Sequence, residues 1–215
     1  MNQFSISYLA VGEPEVMTYN HNKQMKTAIR KKQTQSVMLR KSGFEGDKVA
    51  DLKNHGGEER AVCFYPHEHY EDWNEEFNTT LSDSAFGENL VVKGMLEKDV
   101  CIGDVYQIGE AVVTITQGRV PCITIDRRTE SKGLFKRIME TGYTGYFAKV
   151  LKEGIIRGDS SITLVERDPR QMSVHTANQL FFQQVKDPSQ IDQLLEVDAL
   201  AAQWRGHFIR LKDKM

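Results

Sequence analysis

The chain has 215 residues, of which 27% are charged and 40% hydrophobic, with a formal net charge of −2. This is the make-up of a globular protein with material for one substantial core, and it excludes an intrinsically disordered chain. The near balance of charge excludes the overall basic field on which nucleic-acid binders rely.

The opening stretch MNQFSISYLAVGEPE has no basic start followed by an apolar run and a cleavage site. No segment approaches the roughly 18 apolar residues a membrane helix needs. A cytoplasmic protein is therefore expected, with neither membrane nor nucleic acid as partner. The sequence allows a homodimer. Three cysteines, Cys63, Cys101 and Cys122, are an odd number without the spacing of a disulfide framework, so reduced thiols are expected.

In chain order, Phe4 to Val11 alternates and is rich in strand formers. Further strands are predicted at Ser36–Leu39, Ala61–Tyr65, Asn89–Val92, Val105–Ile108, Ala111–Thr116 and Ser161–Glu166. Gly109-Glu110 suits the turn of a hairpin between two of these. Pro66 to Phe77 carries Tyr70, Trp73 and Phe77 at helical spacing, with Pro66 suited to a first turn. Shorter helices are expected at Leu134–Met139 and Gly145–Leu151. The polar stretch Arg167-Asp168-Pro169-Arg170 reads as a linker, and helices follow it. Ser173 can cap the first, Asp187-Pro188 can start the second, and a third is expected from Asp198 to about Lys212. The predicted division is residues 1–167, mainly β, and residues 168–215, a three-helix extension too small to stand alone.

Several clusters combine glycine-permitted backbone with polar side chains. Gly46-Asp47 and Asp51 are followed by His55-Gly56-Gly57, with Arg60 near. Adjacent glycines let backbone N–H groups turn toward an anion, though diglycines also turn ordinary corners. Phe86-Gly87-Glu88-Asn89-Leu90 offers an amide donor and acceptor together, or an ordinary loop feeding a strand. In Gln117-Gly118-Arg119-Val120-Pro121-Cys122, Pro121 stiffens the approach to the thiol and Arg119 favours a thiolate. A buried structural Cys122 is the competing reading. Cys63 and Cys101 sit in apolar runs and are expected in the core. Cys63, His67 and His69 lack the paired spacing of a zinc site, although His67 or His69 could line a pocket.

In this order, and with Tyr65-Pro66…Tyr70…Trp73, Ile102-Gly103-Asp104 and Gly142-Tyr143-Thr144-Gly145-Tyr146 added, the motifs resemble the MOSC domain, in its YiiM-like branch. The resemblance covers about Met1 to Arg167, and the helical tail resembles that branch's small extension. It implies a mixed β-barrel with a cofactor cleft. It also implies that Cys122 is the sulfur ligand of a molybdenum cofactor, or the carrier of activated sulfur. The implied activity is reduction of N-hydroxylated compounds such as hydroxylaminopurines and amidoximes, with electrons from a separate reductase. A persulfide-bearing sulfur transferase and a non-catalytic cofactor carrier are the alternatives. With a molybdopterin cofactor in place, Gly56, Gly57, Arg60 and Arg119 would serve its phosphate and Glu88 and Asn89 its pterin. Cys122 would be the metal ligand, with His55 and Tyr143 as candidate proton donors. The family usually has Gln-Pro-Arg-x-Pro-Cys where this chain has Gly118, which would loosen the backbone before Arg119.

Overall fold

A computed structural model describes residues 4–50, 56–182 and 184–214. Its spine is β10 (Ala111–Gly118), whose residues are almost all buried on both faces, as its run of Val, Thr and Ile dictates. To one side lie β9 (Val105–Ile108) and β13 (Ile162–Glu166). To the other lie β11 (Tyr146–Lys152), β7 (Val62–Pro66), β8 (Leu90–Lys93), β1 (Ser5–Val11) and the short β4 (Lys32–Gln33). All these pairings are antiparallel except β7 with β8. Helix α1 (Glu68–Glu76) provides the crossover that a parallel pair requires. The eight strands curl into a half-barrel. A smaller sheet, β12 (Gly154–Arg157), β5 (Ser36–Arg40) and β6 (Gly43–Phe44), packs against it, and β2 (Glu15–Tyr19) with β3 (Lys23–Thr27) forms a separate hairpin.

The hairpin predicted at Gly109-Glu110 joins β9 to β10, with Gly109 at φ 56°. Two expectations are corrected. The segment Gly145–Leu151 is no helix but strand β11: Tyr146, Ala148 and Val150 are buried and Lys149 and Leu151 exposed, a period of two. Pro66 belongs to the end of β7, paired with Val92, and not to the first turn of α1. Two short helices, α2 (Thr124–Thr129) and α3 (Leu134–Thr141), follow β10.

The tail folds as three helices. Ser173 Oγ accepts the Thr176 N–H at 3.0 Å to start α4 (Val174–Phe181). Asp187 accepts the Ser189 and Gln190 N–H groups to start α5 (Pro188–Leu195). The third, α6 (Ala202–Lys212), begins four residues later than predicted. Trp204 stacks on Phe181 at 4.5 Å and is buried with Ala177, Leu180, Ile191, Leu194 and Phe208 against Val113 and Ile115 of β10. Each such large side chain stabilises the docking by roughly 1.5–3 kcal/mol, which is how helices with narrow stripes hold their place.

Candidate functional site

A cleft of about 660 Å³ opens between the half-barrel, the smaller sheet and the β2–β3 hairpin. Cys122 lines it. The chain leaves β10 at Gly118, passes the buried Pro121 and presents Cys122 half-buried, before α2 begins with the Ile125 N–H donating to the Cys122 carbonyl at 3.0 Å. The thiol is therefore held at the end of a rigid approach, beside open space.

Arg119 points into the same cleft. Its backbone N–H donates to the Gly145 carbonyl at 3.0 Å, and its Nη2 donates to the Phe86 carbonyl. Its Nη1 is buried without a protein acceptor. Burial works against its charge, but the nearby acidic groups outweigh it and its pKa is raised. An unspent N–H on a buried cation is costly unless an anionic ligand completes it.

The described lining residues carry five cations, Lys26, Lys31, Lys48, Arg60 and Arg119, against one carboxylate, Asp47. Lys31 and Asp47 form a buried ion pair. Asp47 also accepts the Gly12 N–H at 2.8 Å and the Asn89 Nδ2 at 3.0 Å. Arg60 donates Nε and Nη2 to the Gly56 carbonyl, at 3.0 and 2.6 Å, and Nη1 to Gln203 Oε1 at 3.2 Å. Gly57, at φ 111°, adopts a backbone that suits glycine and leaves open space beside it.

The structure thus brings Cys122, Arg119, Asn89, Arg60, Gly56 and Gly57 together around one cleft. Asn89 spends its side chain on protein: Nδ2 donates to Ala10 as well as Asp47, and Oδ1 accepts the Cys63 N–H at 3.2 Å. It shapes the wall by tying β1, β7 and β8, and is not an open donor–acceptor pair. Glu88 is placed elsewhere, fully buried, accepting the Tyr70 hydroxyl and the Phe86 N–H. Burial raises its pKa. Tyr143 also lies away from the cleft lining, its ring stacked on His69 at 4.1 Å. His69 is buried and bonded to Glu97 Oε2 at 2.7 Å. His55 lies outside the described residues.

Three contributors escape a reading of the sequence. Met25, Lys26 and Thr27 come from the hairpin, whose signal is the polar run Asn20-His21-Asn22 between two alternating stretches. Lys31 looks like part of a basic surface run, and only its distant partner Asp47 explains its burial. Cys63 is buried, as expected for a core residue, yet it touches the cleft. Burial pushes its pKa to about 11, and does the same for Cys101, helped there by Asp104. At pH 8 each is a thiolate for only roughly one part in a thousand. Limited iodoacetamide treatment of the folded protein should therefore label Cys122 and spare the other two, as read by peptide mass spectrometry.

Two family models match this chain: the MOSC domain over residues 51–163, and the YiiM-like 3-alpha helix domain over residues 172–214. The chain belongs to the MOSC family. Its YiiM-like character extends to the whole architecture: it is similar to the crystal structure of YiiM from Geobacillus stearothermophilus, with TM-score 0.81 and 30% identity over 97% of this chain and 99% of that one. It is 40% identical to YflK of Bacillus subtilis over 99% of this chain and 96% of that protein. It is also 38% identical to a protein named "Reductase" from Gibberella moniliformis, over 70% of this chain but only 28% of that protein.

MOSC domains are associated with molybdenum cofactor binding, and the residues of this MOSC cleft fit such a group: a soft sulfur donor, an unspent guanidinium N–H and an excess of cations for a phosphate. The departure at Gly118 also has a physical reason. A Cβ there would stand 1.8 Å from Asn178 Oδ1 and 2.9 Å from the Trp204 ring. Glycine is what lets the tail press on the strand, so the backbone before Arg119 is confined and not loosened. Gly118→Ala is expected to cost about 2–3 kcal/mol of unfolding free energy, measured from urea midpoints.

Proposed function

We propose that this chain holds a molybdenum cofactor in the cleft and reduces N-hydroxylated compounds, such as hydroxylaminopurines and amidoximes, with electrons from a separate reductase. The observation that carries the reading is the half-buried Cys122 thiol in the same cation-lined cleft as the buried, unspent Nη1 of Arg119. The similarity to part of a protein named "Reductase" supports an oxidoreductase over a carrier.

When bound, the cofactor supplies the two-electron chemistry that cleaves an N–O bond. The chain's own residues orient and tune it. Cys122 offers the soft anionic sulfur that a thiophilic metal prefers. Arg119, already fixed through its backbone and Nη2, has its Nη1 amino group left for an anionic oxygen. The Gly56–Gly57 turn and Arg60 present donors suited to a phosphate. Asn89 and Asp47 keep the wall in register by linking β1, β7 and β8. Aliphatic and aromatic lining from Ile29, Ala61, Phe86 and Phe147 keeps part of the cleft dry, which strengthens every polar contact inside it.

The test is purification from a host that makes the cofactor. Molybdenum and pterin are measured together with reduction of N6-hydroxylaminopurine and benzamidoxime by a chemical electron donor. Near-stoichiometric metal with turnover is the expected result; neither metal nor turnover overturns the reading. An extra sulfur on Cys122 without metal, seen by mass spectrometry, would replace it with sulfur transfer.

A further inference from the structure

The three-helix extension reaches the cleft through polar contacts as well as through its apolar core. At the start of α6, the Ala201 N–H donates to the Thr116 carbonyl at 3.1 Å and the Ala202 N–H to both Glu59 oxygens, at 3.0 and 3.1 Å. The next residue, Gln203, accepts Arg60 Nη1 at 3.2 Å across 143 positions of sequence. On α4, the fully buried Asn178 donates Nδ2 to the Gly142 carbonyl and to Thr144 Oγ1, both at 2.9 Å. That loop runs on to Gly145, whose carbonyl receives the Arg119 N–H and whose own N–H is held by Glu97 at 2.8 Å.

We propose that the extension is a positioning element of the cleft, with Gln203 setting the Arg60 guanidinium and Asn178 setting the loop from which Arg119 is hung. Naming the ligand served by those arginines rests on the cofactor reading above; the positioning itself does not. A helical appendage serving only to cover the sheet would need Trp204, Phe208 and Leu180 and nothing more. Here the contacts from Gln203 and Asn178 reach Arg60 itself and the loop whose Gly145 carbonyl accepts the Arg119 N–H, while others, such as Gln184 to Met139 and Glu140, serve the docking alone. Arg60 has Nε and Nη2 tied to Gly56 and Nη1 to Gln203, so the fork is oriented before any ligand arrives. An arginine ordered in advance gives up less freedom on binding, and losing that order should weaken an anionic ligand by about fivefold.

Gln203 is exposed, so its replacement leaves the core untouched. The first measurement uses the cofactor-free full chain, following arginine Nη–Hη signals by 15N NMR at low temperature, since Gln203 accepts from Arg60 Nη1. In Gln203→Ala the Arg60 signal should exchange with water several times faster than in the wild type. The thermal midpoint should be unchanged, the Arg119 signal unaffected, and Gln203→Glu should restore protection. In Asn178→Ala the Arg119 signal should be the one to change; if that chain does not fold, the Gln203 pair still decides. Wild-type Arg60 exchange in Gln203→Ala overturns the proposal. In chains loaded in a cofactor-making host, molybdenum retained after dialysis should fall about fivefold in Gln203→Ala and recover in Gln203→Glu. If the NMR responses appear while wild-type protein takes up no molybdenum, the positioning stands and the cofactor reading falls.

Discussion

On the proposed function, Cys122→Ser is expected to leave the fold intact, to prevent molybdenum retention and to lower N-hydroxyl reduction by roughly a hundredfold or more, since partners one step removed from a metal are already worth 10–100-fold. The thiol is half-buried and makes no contribution to the main core clusters, so a hydroxyl of similar size costs little stability. What changes is the donor. A serine hydroxyl is harder and far less acidic than a thiol, and it cannot offer a polarisable anion at neutral pH. Metal content by mass spectrometry and reduction of N6-hydroxylaminopurine should fall together, with an unchanged circular dichroism spectrum. Full activity in this variant would exclude the ligand role.

Gly145→Ala is expected to be the most damaging small substitution near the site, lowering stability by about 3 kcal/mol or more. Two independent effects combine. Gly145 sits at φ 70°, where any Cβ is strained, at roughly 1–2 kcal/mol. That Cβ would also stand 2.3 Å from the Phe64 carbonyl and 2.9 Å from the Tyr65 ring, a collision within the β7–β11 pairing worth about 1–3 kcal/mol. Because the Gly145 carbonyl holds the Arg119 N–H, the surviving folded fraction should also bind its anionic ligand less well. Urea unfolding gives the first effect. Metal retention per folded chain gives the second, and equal stability to wild type would refute the steric argument.

Local chemistry made much of the fold legible. The strands that carry β-branched residues, the Gly109 turn, the Ser173 and Asp187 caps and the periodicity of the tail are all decided by neighbours along the chain. Segment β11 is not. Phe147, Val150 and Leu151 stand at helical spacing, and the strand exists because β10 and β7 offer it two edges. The same distinction divides the candidate site. Arg119 and Cys122 are readable because Gly118 and Pro121 immediately precede them. Glu88 and Asn89 look alike in sequence, yet the chain bends at Asn89 just before β8, and Asn89 lines the cleft while Glu88 turns to Tyr70. Tyr143 is drawn off by the ring of His69, and Lys31 is drawn in by Asp47, both long-range contacts with no local signature.

Among the described residues, the β2–β3 hairpin pairs with no strand of either larger sheet. It is fastened by the buried Met17, by Tyr19 under Arg127 at 4.8 Å and by Met25 against that same arginine at 3.7 Å, yet it lends Met25, Lys26 and Thr27 to the cleft. One wall of the chamber is in effect an interchangeable panel on a fixed frame. Evolution, or a designer, can revise what enters by rewriting a dozen residues there, while the thiol, the arginines and the barrel behind them go on undisturbed.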